Sequence, residues 1–142
     1  MRHTARLLGW AFAAALAVGW ASSSPAQAAP RPFTARDMAM QDRIADPRLS
    51  PDGRFLVWDV RSTDWAANKG EHALWILDSR TPAMPARKLA ASAKGATAPR
   101  WSPDGKALYF LSARAGSNQV WRTDADGLEA VQVTNLPVDV IA

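Results

Sequence analysis

One short motif occurs twice in this 142-residue chain and each time sets a serine two residues from a carboxylate: Ser50-Pro51-Asp52-Gly53 and Ser102-Pro103-Asp104-Gly105. A hydroxyl beside an acid has the makings of an activated nucleophile, and two matched aspartates have those of a general acid–base pair. Repetition argues against both readings. A catalytic serine is needed once, whereas a turn serine is needed wherever the turn recurs. Proline presets φ near about −65° at the second turn position, aspartate bonds back to nearby N–H groups, and glycine takes the positive φ that closes a hairpin. Ser50 and Ser102 are therefore read as turn residues, and Asp52 and Asp104 as bonding their own turns.

Few other candidates remain. Beyond the N-terminal 28 residues there is one histidine, His72, which opens an expected strand. A lone imidazole has no partner for a triad or a metal site, so it is read as a partly exposed strand residue. No Gly-x-Ser-x-Gly occurs, and Gly116-Ser117 lacks the second glycine. Trp58, Trp75, Trp101 and Trp121 fall in expected strands, where packing between repeat units explains them better than a carbohydrate platform. Trp65 lies in a polar stretch and could contact a peptide or a further domain, or anchor its own loop. A sugar-binding reading would rest on Trp65 alone. Catalytic, cofactor-binding and metal-binding residues are each assigned as none, and no cofactor is expected.

The elements that carry these residues follow from composition and pattern. With 48% hydrophobic and 21% charged residues and no cysteine, the chain is neither a disordered tail nor a disulfide-stapled mini-protein. Residues 1–28 read as a secretory signal peptide. Arg2 and Arg6 precede the apolar run Leu7–Ala21, Ser22 to Pro25 break it, and Ala26-Gln27-Ala28 forms a small-x-small cleavage site. A permanent span wants about 20 apolar residues, so the run is short for an uncleaved anchor, which is the alternative. Without Arg2 and Arg6 the balance is 15 basic against 13 acidic residues, with no run of one sign. Nucleic-acid binding has no support in that pattern. The expected location is exported, periplasmic or secreted, with no stable membrane anchor after cleavage.

The stretch Pro47 to Arg54 recurs as Pro99 to Lys106, an offset of 52 residues. Apolar runs follow both copies, and Leu74-Trp75-Ile76-Leu77-Asp78 corresponds to Val120-Trp121-Arg122-Thr123-Asp124 at an offset of 46. The difference fits the polar stretch Arg61–Glu71, read as a loop. Each unit reads as four antiparallel strands. In the second they are Ala98–Ser102, Lys106–Ala113, Gln119–Asp124 and Ala130–Thr134; the fourth strand of the first is Arg87–Ala91. Four short strands per unit of about 50 residues describe a β-propeller blade. Thr34–Ile44 looks helical, with Thr34 as N-cap and Asp37 in the first turn. The expected fold is all-β, a partial propeller of two blades preceded by a signal peptide and a short helix. Its divisions are 1–28 signal peptide, 29–45 lead-in, 46–92 first blade, 93–136 second blade, and 137–142 the start of a further blade. Two blades do not close a ring of the usual four to eight or so, so a fragment of a longer protein is expected.

The repeat resembles the PD40-type, WD40-like propeller unit. With the lead-in Phe33-Thr34-Ala35-Arg36-Asp37-Met38 and the segment Gln132 to Leu136, the chain resembles the start of a prolyl oligopeptidase family serine peptidase. The dipeptidyl-aminopeptidase and acylaminoacyl-peptidase branch is the nearest in pattern. That resemblance implies a Ser-His-Asp triad on a C-terminal α/β-hydrolase domain absent from this chain, which would be inactive alone. The implied partners are that hydrolase domain and short peptides. In the aminopeptidase branch propeller acids hold a substrate's α-amine, but no motif gives Glu71 or Glu129 that role. The alternative is a TolB-like periplasmic propeller acting by protein–protein binding.

Overall fold

The computed structural model describes residues 31–142 except Pro82. The expected signal peptide lies outside the described residues. Residues 33–142 form one compact unit, and among the described residues no helix is long and apolar enough to cross a membrane.

The unit opens with helix α1 (Ala35–Ala39) and continues as eight strands: β1 (Arg43–Leu49), β2 (Phe55–Asp64), β3 (Lys69–Asp78), β4 (Arg87–Lys88), β5 (Thr97–Trp101), β6 (Ala107–Ser112), β7 (Gln119–Asp124) and β8 (Val131–Gln132). They make two four-stranded antiparallel sheets in the orders β1-β2-β3-β4 and β5-β6-β7-β8. Each sheet is built from consecutive strands, as propeller blades are, and the fold is a partial all-β propeller.

The turns of the repeated motif fix the first corner of each blade. Gly53 and Gly105 have φ of 71° and 70°, and the N–H of each donates to the carbonyl of Ser50 or Ser102 at 2.9 Å. The innermost strands β1 and β5 carry matching irregularities. Asp46 (φ 48°) and Ala98 (φ 50°) take left-handed backbone where the register slips, between Ala45 and Arg48 and between Thr97 and Arg100. Proline follows each of them and has no N–H to give the ladder, so a bulge on an inner edge strand is its natural place.

Blade 1 and blade 2 pack face to face. Directly opposed residues of an antiparallel pair share a face, and Val57 opposes Ile76 while Phe110 opposes Trp121. Val57, Leu74 and Ile76 from blade 1 meet Leu108 and Phe110 from blade 2 in one buried cluster, joined by Leu89, Ala91 and Ala96 from the connection between the blades. Trp101 and Trp121 pack against it, partly buried.

Several local expectations are corrected. The helix ends at Ala39, and Ile44 lies in β1, where it pairs with Val60. A short run with weak apolar periodicity gives way once a ten-residue β2 offers a partner. Arg61–Glu71 is a continued hairpin rather than a loop: Ser62 pairs with Glu71 and Asp64 with Lys69, leaving only residues 65–68 as the turn. The Ala67 N–H donates to Asp64 Oδ1 at 3.0 Å to close it. The fourth strand of blade 1 stops at Lys88, because Leu89 turns into the core and a 3-10 turn follows at Ala90–Ser92. Ser92 pins that turn, donating to the Leu89 carbonyl at 2.7 Å and accepting from the Leu74 N–H at 3.1 Å. Trp58 and Trp75 oppose each other on the face of blade 1 turned away from the core, so they do not pack between these two blades.

Candidate functional site

The two serines and two aspartates singled out by the sequence are consumed by their own turns. Ser50 Oγ donates to Asp52 Oδ1 at 2.6 Å and accepts from the Phe55 N–H at 2.8 Å. The same oxygen of Asp52 accepts from the Arg54 N–H at 3.1 Å. In the second blade Ser102, Asp104, Lys106 and Ala107 repeat the pattern at 2.5, 3.1 and 2.9 Å. Each hydroxyl already donates to a carboxylate and is committed to the backbone. Ser50 is also buried. The hydrogen bond from the serine, helped by that from the backbone, holds each aspartate below the usual carboxylate range.

Around the seam between the blades, charged and aromatic groups interlock. Asp46 Oδ2 accepts from Arg100 Nη1 at 2.6 Å, and Asp46 Oδ1 meets Arg48 at 2.6 Å. Burial alone would raise the Asp46 pKa, but the hydrogen bond and charge of Arg100, with Arg48 behind them, outweigh it and lower it. Trp101 stacks on Phe55 with centroids 6.1 Å apart and donates its indole N–H to the Arg48 carbonyl at 3.2 Å. Arg114 lies over Phe110 and Trp121, at 5.2 and 4.8 Å from the ring centroids, and donates to the Ala91 carbonyl at 2.5 Å. Arg54 and Asp78 clamp the outer end of β2 to that of β3, at 2.8–3.0 Å.

His72 is not the solitary strand residue its sequence suggests. Its Nδ1 lies 2.9 Å from Asp59 Oδ2 and 3.0 Å from Oδ1. Asp59 is buried on the core-facing side of β2, opposite Leu74. An acid inside the run Phe55-Leu56-Val57-Trp58-Asp59-Val60 is the signal that could have found this pair, since a buried carboxylate demands a partner on the facing strand. The imidazole is half-exposed at the edge of an open cleft of about 490 Å³, which Lys69, Glu71, Lys88, Lys94, Ser112 and Asn118 also line. Among the described residues no hydroxyl is hydrogen-bonded to His72, so an acid–base pair is present without a nucleophile. Nor is any group of three His, Cys, Asp or Glu placed to hold a metal ion among the described residues.

The other candidates are dispersed. Glu71 sits in the cleft wall, and Glu129 borders a second cleft with Arg122 and Leu128; both are exposed. Trp65 is 48% exposed at the tip of the β2–β3 hairpin, where the Arg36 guanidinium lies 5.1 Å from its ring centroid. That contact ties helix α1 to the hairpin tip. The helix itself is held by a capping box in which Asp37 N–H donates to Thr34 Oγ1 at 3.2 Å and Thr34 N–H donates to Asp37 Oδ2 at 2.8 Å.

No family model matches the chain. An uncharacterized peptidase of Bacillus subtilis, YuxL, is 30% identical over 110 residues, which is 76% of this chain and 16% of that protein. Dipeptidyl-peptidase 5 of Porphyromonas endodontalis is 28% identical over 123 residues, 85% of this chain and 18% of that protein. Among solved structures, the β-propeller domain of the Trilobed protease from Pyrococcus furiosus, described as having an open velcro topology, superposes with a TM-score of 0.50. It is 24% identical over 66% of this chain and 27% of that one. The chain spans less than a fifth of the length of the curated relatives it matches. Those relatives are peptidases, and they match this chain over most of its length.

Proposed function

We propose that this chain, whose homologues make it a propeller portion of a prolyl oligopeptidase family peptidase, serves an exported serine exo- or oligopeptidase. The observation that carries the reading is the match to peptidases along most of the chain but under a fifth of theirs. In the whole enzyme an α/β-hydrolase domain would supply a serine that attacks the scissile carbonyl. It would release the amine and leave an acyl-enzyme for water to hydrolyse. The blades would cap that domain and admit short peptides, acting by size and surface rather than by a reacting group. Ser50, Ser102, Asp52 and Asp104 hold the blades in shape, and the His72–Asp59 pair ties β3 to β2 within blade 1. Residues 1–28 would direct export.

Reading the coding DNA past codon 142 tests this directly. An open frame with further Ser-Pro-Asp-Gly units and then a Gly-x-Ser-x-Gly supports the peptidase and places its nucleophile. A frame that ends after more repeats moves the reading to a binding propeller. As a second check, the protein carrying the hydrolase domain should turn over aminoacyl-anilides. The 142-residue chain should not, and turnover by it would overturn the division of labour.

A further inference from the structure

The cleft beside His72 is walled by the two blades and the connection between them, so its shape is set by residues within this unit. It opens at the end of the blades opposite the Ser-Pro-Asp-Gly corners, where β3 begins and β6 ends. Lys69, Lys88 and Lys94 line it, against a single lining acid, Glu71. Among the described residues none of the three lysines pairs with a carboxylate, and neither does Arg61 beside them.

Arg61 is placed by its strand and by a glycine. It follows Val57 and Asp59 at the two-residue spacing of β2, so it shares their face, the one turned toward blade 2. His72 stands directly across the ladder from it. Its guanidinium lies against Gly70, itself part of the cleft wall: a Cβ on residue 70 would sit 2.5 Å from Arg61 Nη2 and 2.7 Å from Cζ. Only glycine leaves that space. Asp59, two residues back on the same face, would be the natural partner for this cation. Both of its oxygens instead meet His72 Nδ1, at 2.9 and 3.0 Å. The imidazole takes the buried acid, and the guanidinium is left without one among the described residues.

We propose that Arg61, seated on Gly70, anchors a carboxylate-binding site in this cleft, and that the ligand is the free C-terminal carboxylate of a short peptide. The peptide half of that statement rests on the peptidase reading above. A guanidinium presents parallel N–H donors that match both oxygens of a carboxylate, whereas lysines add charge without fixing orientation. Binding costs least where the donors are already in place, and Gly70 lets the fork lie flat on the strand. The volume of about 490 Å³ is that of an ordinary small-ligand site. A peptide amide, being neutral, offers the cations nothing to attract. An acidic side chain elsewhere in a longer protein has the same chemistry, and the two sources differ in what the loss of Arg61 would do.

Calorimetric titration of the 142-residue chain with acetyl-trialanine and with its C-terminal amide tests the site, with circular dichroism as the check on folding. The acid should bind about tenfold tighter than the amide at low salt, and high salt should narrow the gap. Arg61→Gln should abolish the preference, and Arg61→Lys should restore only part of it. Gly70→Ala keeps every charge and displaces only the far end of a side chain, yet it should cut the preference about threefold. In the protein carrying the hydrolase domain, Arg61→Gln should raise KM for a tripeptide acid about fivefold more than for the amide, a readout that stands even where the shorter chain does not hold its fold. Equal binding of acid and amide, or a preference that survives Arg61→Gln, would overturn the site. A lower melting temperature for Arg61→Gln in the longer protein with an unmoved ratio of KM values would give the cleft to an acid of the protein itself and overturn the peptide assignment. Acid-selective binding by a longer protein that hydrolyses no peptide would strike the peptidase reading and uphold the site.

Discussion

Asp46 and Arg100 belong to the innermost strands of neighbouring blades and meet at 2.6 Å across the seam, with Arg48 of the same strand as Asp46 closing on the other carboxylate oxygen at 2.6 Å. One carboxylate is thus shared by two guanidiniums, and the trio keeps a net charge of +1. The arginine side chains are nearly half exposed, so solvent screens much of the attraction. Asp46→Asn, which tolerates the left-handed backbone, should cost about 0.5–1 kcal/mol in urea unfolding at low salt. Most of that cost should vanish at high ionic strength. A salt-independent loss would mean that Asp46 acts through its bulge and not its charge.

A second expectation concerns acid. Asp52 and Asp104 are held low chiefly by the hydroxyls of Ser50 and Ser102, and Asp78 by its hydrogen bond from Arg54. At Asp46 burial pushes upward but the arginines win. A carboxyl whose folded pKa lies below its unfolded one adds stability that is complete above the unfolded value, near about 4. That stability is lost as pH falls through the folded value. Chemical unfolding should therefore show stability level from neutral pH down to about 5 and falling below about 4. The double variant Asp52→Asn, Asp104→Asn should flatten that fall, and an unchanged acid limb would show that these turns carry none of it.

The turn serines lend themselves to a paired test. Removing either hydroxyl strands a backbone N–H, that of Phe55 or Ala107, and leaves the aspartate Oδ1 with only its backbone donor, Arg54 or Lys106. The expected cost is about 1–2 kcal/mol for Ser50→Ala. Ser102→Ala should cost less, because Ser50 is buried and Ser102 is half-buried. Equal costs would show that burial does not set the penalty. Peptidase activity of the full-length enzyme toward a short substrate should survive both, as it would not if either serine were the nucleophile.

His72→Ala leaves the Asp59 carboxylate buried without its imidazole. An unmatched buried acid is costly, and a loss of about 1–3 kcal/mol is expected. Asp59→Asn keeps a hydrogen-bonding group opposite the ring and should cost less. Thermal melts that rank the two variants the other way would deny the pair its role in joining β2 to β3.

What the sequence displayed and what it concealed divide along a physical line. The Ser-Pro-Asp-Gly corners were legible because their bonds span five residues or fewer and proline and glycine fix the backbone on the spot. The four strands of each blade followed from alternating or continuous apolar runs between those corners. Hidden were the features decided by a distant partner. Ile44 left the helix because β2 pairs with it, and the polar run from Arg61 to Glu71 stayed extended because each half is the other's ladder. His72 and Asp59, thirteen residues apart, come together only once the hairpin register is known. The two faces of the tryptophan-bearing strands were likewise ambiguous until the register showed which face each blade turns toward the other.

Each blade closes its hydrogen-bond ladder before the next begins, and no strand is shared between the two sheets. For the gene this means that a copied stretch of DNA one repeat long encodes a finished sheet. Unequal recombination between two Ser-Pro-Asp-Gly codon runs would insert or remove a whole blade without leaving a strand unpaired. A lineage could therefore change the number of its blades in single events, with side-chain fit at one new seam as the only thing left for later point mutations to refine.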